Sequence, residues 1–256
     1  MIAPEDKEAA RSTHCPLVLE EHPLLHIETQ FAQLDVVPSA PGETPFIALV
    51  GERIEGLAIA IDPSGGITRV RVLHSWKPGD PDRDGGGNDD ENGWNAAFWE
   101  NVLKATFHAR VIAHVPPSVR ARLRSAAARV HVERLSGCDL SIESQAASIS
   151  LGNVSGKVRL ETRAGRIDGH GLAGSFDVTT HAGVIRLGVR ALDPGTHRVR
   201  GSDAVRVELA PGIPLQIHAR TPIGSPQLDY PSVTGAPIVL DVEAKHGEIQ
   251  ISPPSQ

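Results

Sequence analysis

Three segments that follow one another at intervals of eighteen residues share one pattern of apolar and turn-forming residues. They are LSIESQAASI (140–149), VRLETRAGRI (158–167) and FDVTTHAGVI (176–185). Self-similarity at a short, fixed period is the signature of repeat architectures, in which each copy buries its apolar face against its neighbours. Weaker copies lie upstream at 123–130 and downstream at 221–224 and 242–249.

Within each copy, apolar residues alternate with polar or charged ones, which is the period-two pattern of a half-buried β-strand. Gly165 and Gly183 stand at the turn, where glycine supports backbone angles that a Cβ would penalise. Two short strands per copy cannot bury an apolar face alone. The pattern therefore predicts an all-β fold, a single-stranded β-solenoid with repeats of about eighteen residues. A β-sandwich is the alternative, because this spacing also fits two strands of a meander.

Stacked copies would place like positions in ladders with a spacing of about 4.8 Å. Two internal ladders are predicted: Ile142, Leu160 and Val178 in one, and Ile149, Ile167 and Ile185 in the other. Residues 31–75 keep the alternation without a clear period, and we expect four further strands of the same body there.

The domain organisation follows from these patterns. We predict a flexible N-terminal segment at 1–28, a single solenoid domain at 29–252 and a tail at 253–256. The domain is expected to carry an acidic, glycine-rich insertion at 78–93 and a short capping helix at about 94–104.

Composition excludes several classes of function. The chain has 256 residues and a net charge of -6, so the total charge does not favour binding to nucleic acid. No stretch approaches the roughly 18 to 20 apolar residues of a membrane span, and the first residues lack the apolar core of a secretory signal. A cytoplasmic location is the resulting expectation. Cys15 and Cys138 are too few for a disulfide framework, and we expect both to be free thiols.

The order of several motifs resembles the bacterial putative-adhesin β-strand repeat family. These motifs are Val115-Pro116-Pro117, the repeat type Val154-Ser155-Gly156-x-Val158-x-Leu160-x-Thr162-x-Ala164-Gly165-x-Ile167, and Val205-x-Val207-x-Leu209 leading to Thr221-x-x-Gly224. The resemblance covers about residues 31–252 and is strongest from 112 to 226. It implies a single-stranded β-solenoid without an established enzymatic activity. It also implies an association with the cell envelope, since many relatives look exported or anchored.

An acidic segment fits the pattern of a calcium-binding loop, D-x-D-x-D-G followed by five residues and Glu. Its candidate ligands are Asp80, Asp82, Asp84, Gly86, Asn88 and Glu91. Oxygen ligands at alternate positions suit a hard cation, and Glu91 could bind it through both oxygens. Pro81 and the strand-like residues before the loop favour a non-helical calcium loop over an EF-hand, and a solvated acidic loop is the alternative. Calcium is the only cofactor that the sequence suggests.

Aromatic and basic residues suggest an interaction patch. Trp76, Trp94 and Trp99 flank the acidic segment, and tryptophan is favoured at interface hot spots. Alternatively, Trp94 and Trp99 cover an open end of the solenoid. Arg120, Arg122 and Arg124 share one face of a predicted strand, which predicts a positive stripe, either exposed to solvent or available to a partner.

We therefore predict a non-catalytic scaffold or adhesin-like interaction module. Its expected partner is a protein that the sequence does not specify, or a second copy of the chain, with no nucleic acid and no membrane span. A calcium-responsive binding protein is the second hypothesis, and a carbohydrate-active β-helix enzyme is the third. The enzyme hypothesis depends on Glu143 and Glu161, the one pair of like-charged neighbours in the predicted outward ladders, because no other catalytic constellation is evident.

Overall fold

The computed structural model describes residues 11–19, 24–30, 32–51, 54, 57–74 and 109–254. Every regular element in these ranges is a β-strand, and no helix capable of crossing a membrane occurs in them. The strands are β1 (Arg11–Pro16), β2 (Leu24–Thr29), β3 (Gln33–Pro38), β4 (Phe46–Gly51), β5 (Leu57–Ser64), β6 (Ile67–His74), β7 (Arg110–Val115), β8 (Arg120–Ser125), β9 (Val130–Glu133), β10 (Cys138–Ala146), β11 (Ile149–Gly152), β12 (Ser155–Ala164), β13 (Ile167–Thr180), β14 (Ile185–Leu192), β15 (Gly195–Gly201), β16 (Val205–Leu209), β17 (Leu215–Arg220), β18 (Gln227–Leu228), β19 (Ile238–Ala244) and β20 (Ile249–Ser252). The all-β prediction is confirmed for this part of the chain.

The strands pair in two long ladders. The first runs β5-β6-β2-β8-β10-β12-β13-β15-β19-β17. The second runs β1-β4-β7-β3-β9-β11-β13-β14-β16-β20-β18, so the long strand β13 belongs to both. Among the described strands, antiparallel pairing is confined to β1–β4, β4–β7 and β5–β6, and every other pairing is parallel. The buried side chains of both ladders form one hydrophobic cluster.

The eighteen-residue repeat appears in the register of this pairing. Ile142 lies opposite Leu160, which lies opposite Val178, and the series Ile149, Ile167 and Ile185 continues in the same way. All six side chains are buried. The two internal ladders of side chains that the sequence predicts are therefore confirmed.

The turns between the repeats are packed backbone against backbone. Gly183 has a φ of +133°, and a Cβ at this position would lie 2.0 Å from the carbonyl oxygen of Gly165. Gly165 in turn has a φ of +138°, and its Cβ would lie 2.1 Å from the carbonyl oxygen of Ala147. Both the angle and the close approach therefore require glycine at these two positions.

The order of the strands departs from the order of the sequence at both ends. In the first ladder β2 lies between β6 and β8, and β3 lies between β7 and β9 in the second. At the other end β19 lies between β15 and β17, and β20 lies between β16 and β18. Strands β2 and β3 and the last two described strands, β19 and β20, are thus enclosed by strands on both sides, whereas β1 pairs with β4 alone among the described strands.

The predicted flexible segment at 1–28 needs correction, because it contains β1 and most of β2. Leu25 and Ile27 of β2 are buried, so this strand belongs to the core and not to a frayed end. The proline pair after β7 separates it from β8 as expected, since proline cannot donate to a ladder. The predicted insertion at 78–93 and the capping helix at 94–104 lie outside the described residues.

Candidate interaction surface

The arginines predicted as a patch lie on the outer face of β8: Arg120, Arg122 and Arg124. Strands β2 and β10 flank them with carboxylates. Arg124 Nε donates to Glu143 Oε2 at 3.0 Å, and its Nη1 lies 3.8 Å from Glu28 Oε1. Arg120 Nε lies 3.7 Å from Asp139 Oδ2. The stripe is therefore largely neutralised by its neighbours, which weakens any attraction to polyanions.

The same compensation extends along the whole outer face of the first ladder, where successive parallel strands alternate in charge. Carboxylates dominate the outward positions of β2, β10, β13 and β19: Glu28, Asp139, Glu143, Asp177, Asp241 and Glu243. Basic residues dominate those of β6, β8, β12, β15 and β17: Arg69, Arg71, Arg120, Arg122, Arg124, Lys157, Arg159, Arg198, Arg200 and Arg220. With the exception of Glu161 of β12, which faces Glu143 of β10, each parallel strand thus has outward charges opposite in sign to those of its parallel neighbours.

A polar groove of about 600 Å³ crosses this face where strands β6, β2, β8, β10 and β12 end. Five strands at the usual spacing give it a length of about 19 Å. Its charged and amide side chains are Glu28, Gln30, Arg71, Arg124, Glu143, Gln145, Glu161 and Arg163. Ala126, the small residue between the two glutamine positions, contributes to the lining. This groove is not evident from the sequence, because its residues come from strands far apart in the chain.

A row of buried hydroxyls follows the groove on the inner side of the same strands: Thr29, Ser125, Ser144, Thr162 and Thr180. Thr162 Oγ1 donates to the carbonyl of Ala164 at 2.9 Å, and Thr180 Oγ1 donates to that of Ala182 at 3.2 Å. These two threonines begin the T-x-A-G turns, so their role is structural.

The two serines of this row differ from the threonines. Ser125 Oγ and Ser144 Oγ are buried without a hydrogen-bond partner in the described part of the chain, and both residues line the groove. Their turns have alanine where the threonine turns have glycine, and the carbonyl that would accept their hydrogen bond is not within reach. A buried polar group without a partner costs free energy, so these two hydroxyls lower the stability of the folded state. The recurrence of Ser or Thr at this position was the sequence signal for the row.

Two ionisable side chains, Cys138 and His197, are buried in the core. Burial raises the pKa of the Cys138 thiol to about 11, so at neutral pH the thiol is protonated and a poor nucleophile. His197 is buried in the inner row of β15, where its Nδ1 accepts from the Phe176 N–H and its Nε2 lies 2.8 Å from the Asp193 carbonyl. That geometry assigns a neutral ring with the proton on Nε2. Both residues act as structural parts of the core.

The remaining predicted sites have different outcomes. Glu143 and Glu161 are neighbours in register, as the outward ladders predicted, but Glu143 is engaged by Arg124. The proposed calcium ligands and the three tryptophans lie outside the described residues. Within the ranges that the structure describes, no group of three His, Cys, Asp or Glu side chains is arranged to hold a metal ion.

Comparison with known proteins finds similar solved structures at low sequence identity. A putative cell adhesion protein from Clostridium sporogenes is 13% identical, with 96% of this chain and 100% of that one covered and a TM-score of 0.40. A putative adhesin from Bacteroides fragilis is 10% identical over 95% of this chain and 97% of that one, with a TM-score of 0.46. A putative lipid binding protein from Parabacteroides distasonis is 8% identical over 97% and 98%, with a TM-score of 0.27. The adhesin names agree with the family that the sequence resembles. No family model and no curated protein matches the chain.

Proposed function

We propose that this chain is a non-catalytic β-solenoid scaffold that binds a partner protein through the polar groove. The parallel, in-register pairing of strands eighteen residues apart supports the solenoid. The self-neutralising outer face supports a scaffold, because its charges already have partners of opposite sign and stabilise the stack.

The groove is the observation that supports binding at this place. It brings together charged and amide side chains from five neighbouring strands. Planar carboxylate, guanidinium and amide groups form directional hydrogen bonds with peptide and side-chain groups of a partner. Ala126 leaves room between Gln30 and Gln145 for an incoming side chain. The partner surface that suits this lining is polar and carries both signs of charge.

Filling the groove tests the proposal. Ala126→Tyr places a large side chain in the groove and changes no charge. Ala191→Tyr introduces the same side chain at an exposed position of β14, away from the groove, and serves as the matched control. The immobilised chain and both variants are incubated with an extract of the native host, and bound proteins are identified by mass spectrometry. A protein that is retained by the chain and by Ala191→Tyr, and lost with Ala126→Tyr, supports the proposal. Identical retention by both variants, or no retained protein at all, contradicts it.

We also propose, from the sequence pattern alone, that residues 80–91 bind calcium. The supporting observation is the literal match of Asp80, Asp82, Asp84 and Glu91 to the spacing of calcium ligands. Calorimetric titration of the full chain with calcium tests it, with Asp82→Ala/Asp84→Ala as the comparison. Equal heats for the two proteins contradict calcium binding by this segment.

A further inference from the structure

Strand β17 is the last strand of the first ladder and pairs with β19 on one side only, within the described residues. The backbone N–H and C=O groups that point away from β19 belong to every second residue of β17. The N–H of Ile217 donates to Ser232 Oγ at 2.9 Å, and the carbonyl of Leu215 accepts from the Val233 N–H at 2.9 Å. Successive residues of a parallel strand point their backbone groups to opposite sides. The N–H and C=O of Ala219 therefore also point away from β19, at the end of β17 that the 232–233 segment leaves open.

A hollow of about 500 Å³ adjoins this open half of the strand. It is lined by Ala219, Arg220, Thr221, Pro222, Pro226 and Glu243. Arg220 is 69% exposed, and its Nη2 donates to Asp241 Oδ1 at 2.9 Å. The guanidinium group has five N–H donors, so it retains capacity for a second carboxylate. Ile223 and Leu228 are large apolar side chains exposed at the same end.

The charge alternation indicates what this edge would accept. The positive strands β8, β12 and β15 each lie between two negative strands, whereas β17 has a negative neighbour only in β19. We propose that the open half of β17 binds an extended acidic segment of a partner protein, which adds a short strand at Ala219 and pairs a carboxylate with Arg220. Main-chain hydrogen bonds supply affinity in this mode of recognition, and side-chain contacts supply specificity. This site is separate from the polar groove and does not depend on it.

A peptide with the sequence of β19 provides a probe, because β19 already pairs with β17 on the other side. Fluorescein-labelled IVLDVEA is titrated with the full chain and followed by fluorescence anisotropy. We expect saturable binding that weakens about tenfold when both acidic residues of the probe are lysine, since a tenfold change corresponds to about 1.4 kcal/mol, the scale of one charge-assisted contact. Arg220→Ala is expected to weaken binding to a similar extent. Arg186→Ala, which removes an exposed arginine of β14, is the matched control and should have no effect.

Ala219→Pro distinguishes edge binding from replacement of β19 by the probe. Proline removes only the outward N–H, and edge strands tolerate it where the N–H faces solvent. Thermal denaturation verifies that each variant remains folded. Loss of binding with both Ala219→Pro and Arg220→Ala supports the proposal. Undiminished binding to Ala219→Pro shows that the probe has displaced β19 and overturns it, as does the absence of saturable binding. A dimer of the chain alone that dissociates with Ala219→Pro also overturns it, because the occupant is then a second copy.

Discussion

Single residues of the buried hydroxyl row differ in what they contribute to stability. Thr162 donates a hydrogen bond to the carbonyl of Ala164, whereas Ser144 Oγ, its neighbour in the row, has no partner in the described part of the chain. We expect Thr162→Val to lower the free energy of unfolding by about 1 kcal/mol or more, because a satisfied hydrogen bond is lost at constant shape. Ser144→Ala should be neutral or stabilising, since it removes an unsatisfied polar group. Urea denaturation measures both variants, and equal losses would contradict the assigned difference.

Protonation of His26 should make stability depend on pH. The ring lies on the outer face of β2 near Glu28, Arg124, Arg122 and Arg69, and burial lowers its pKa from 6.5, with the arginines acting in the same direction and Glu28 opposing them. The folded state therefore resists a proton that the unfolded chain accepts. The contribution of His26 is complete above pH 6.5 and declines as the pH falls through the lowered folded pKa.

The effect can be measured as the free energy of unfolding between about pH 7.5 and pH 5, a range that brackets the ordinary pKa of histidine. His26→Gln removes the titrating group, and we expect a smaller loss of stability on acidification than in the unchanged chain. His218→Gln is the matched control, because His218 is exposed on the same face. A pH profile that is the same for His26→Gln and the unchanged chain would exclude His26 as the source.

At the scale of the strands, charge alternation stabilises the order in which they stack. Glu243 lies between Arg200 of β15 and Arg220 of β17, whereas Glu208 of β16 lies between Gly188 and Ser252. Glu243→Lys therefore places a lysine between two arginines, and Glu208→Lys, the matched control, does not. We expect Glu243→Lys to cost about 1 kcal/mol more, since like charges on opposing strand positions are each unfavourable by a few tenths of a kcal/mol.

Thermal denaturation at low and high salt tests this prediction. The difference between the two variants should shrink in high salt, because mobile ions screen exposed charges. Arg200→Glu combined with Glu243→Lys should recover part of the loss. A difference that is unchanged by salt would mean that packing, and not charge, causes it.

The repeat and its register could be predicted from sequence because both depend on residues that are close together in the chain. Leu160 and Val178 recur at a constant interval beside the same turn residues, so parallel stacking at that interval is the simplest way to bury them. The groove could not be predicted in this way, because Arg71 and Glu161 meet only after distant strands are stacked. The core strand β2 was predicted as flexible because proline and charged residues around it conceal the alternation of Leu25 and Ile27.

At the scale of the whole molecule, the strand order departs from the sequence order where β2 and β19 are each inserted between two strands of the first ladder. In a simple winding each strand pair would stack on the one before it, and β17 would follow β15. That order would set Arg198 and Arg200 beside His218 and Arg220. The observed order places Asp241 and Glu243 of β19 between them instead. The charge pattern therefore favours the observed position of β19, and the same reasoning applies to Glu28 of β2 between the positive strands β6 and β8.

The strand order determines which strands unfold locally first. Chain termini ordinarily fray first, and a stack in sequence order would release its last strands before all others. Here β19 has hydrogen-bonded neighbours on both sides, while β17 has a strand neighbour on one side only among the described residues. We expect the amide hydrogens of Leu240 and Val242 to exchange at least tenfold more slowly than the outward amide of Ala219, since each additional 1.4 kcal/mol of opening free energy slows exchange tenfold. Hydrogen exchange followed by NMR or mass spectrometry measures this directly. If β19 exchanged before β17, β19 would be the peripheral strand, and its enclosure between β15 and β17, with the charge argument that accounts for it, would be wrong.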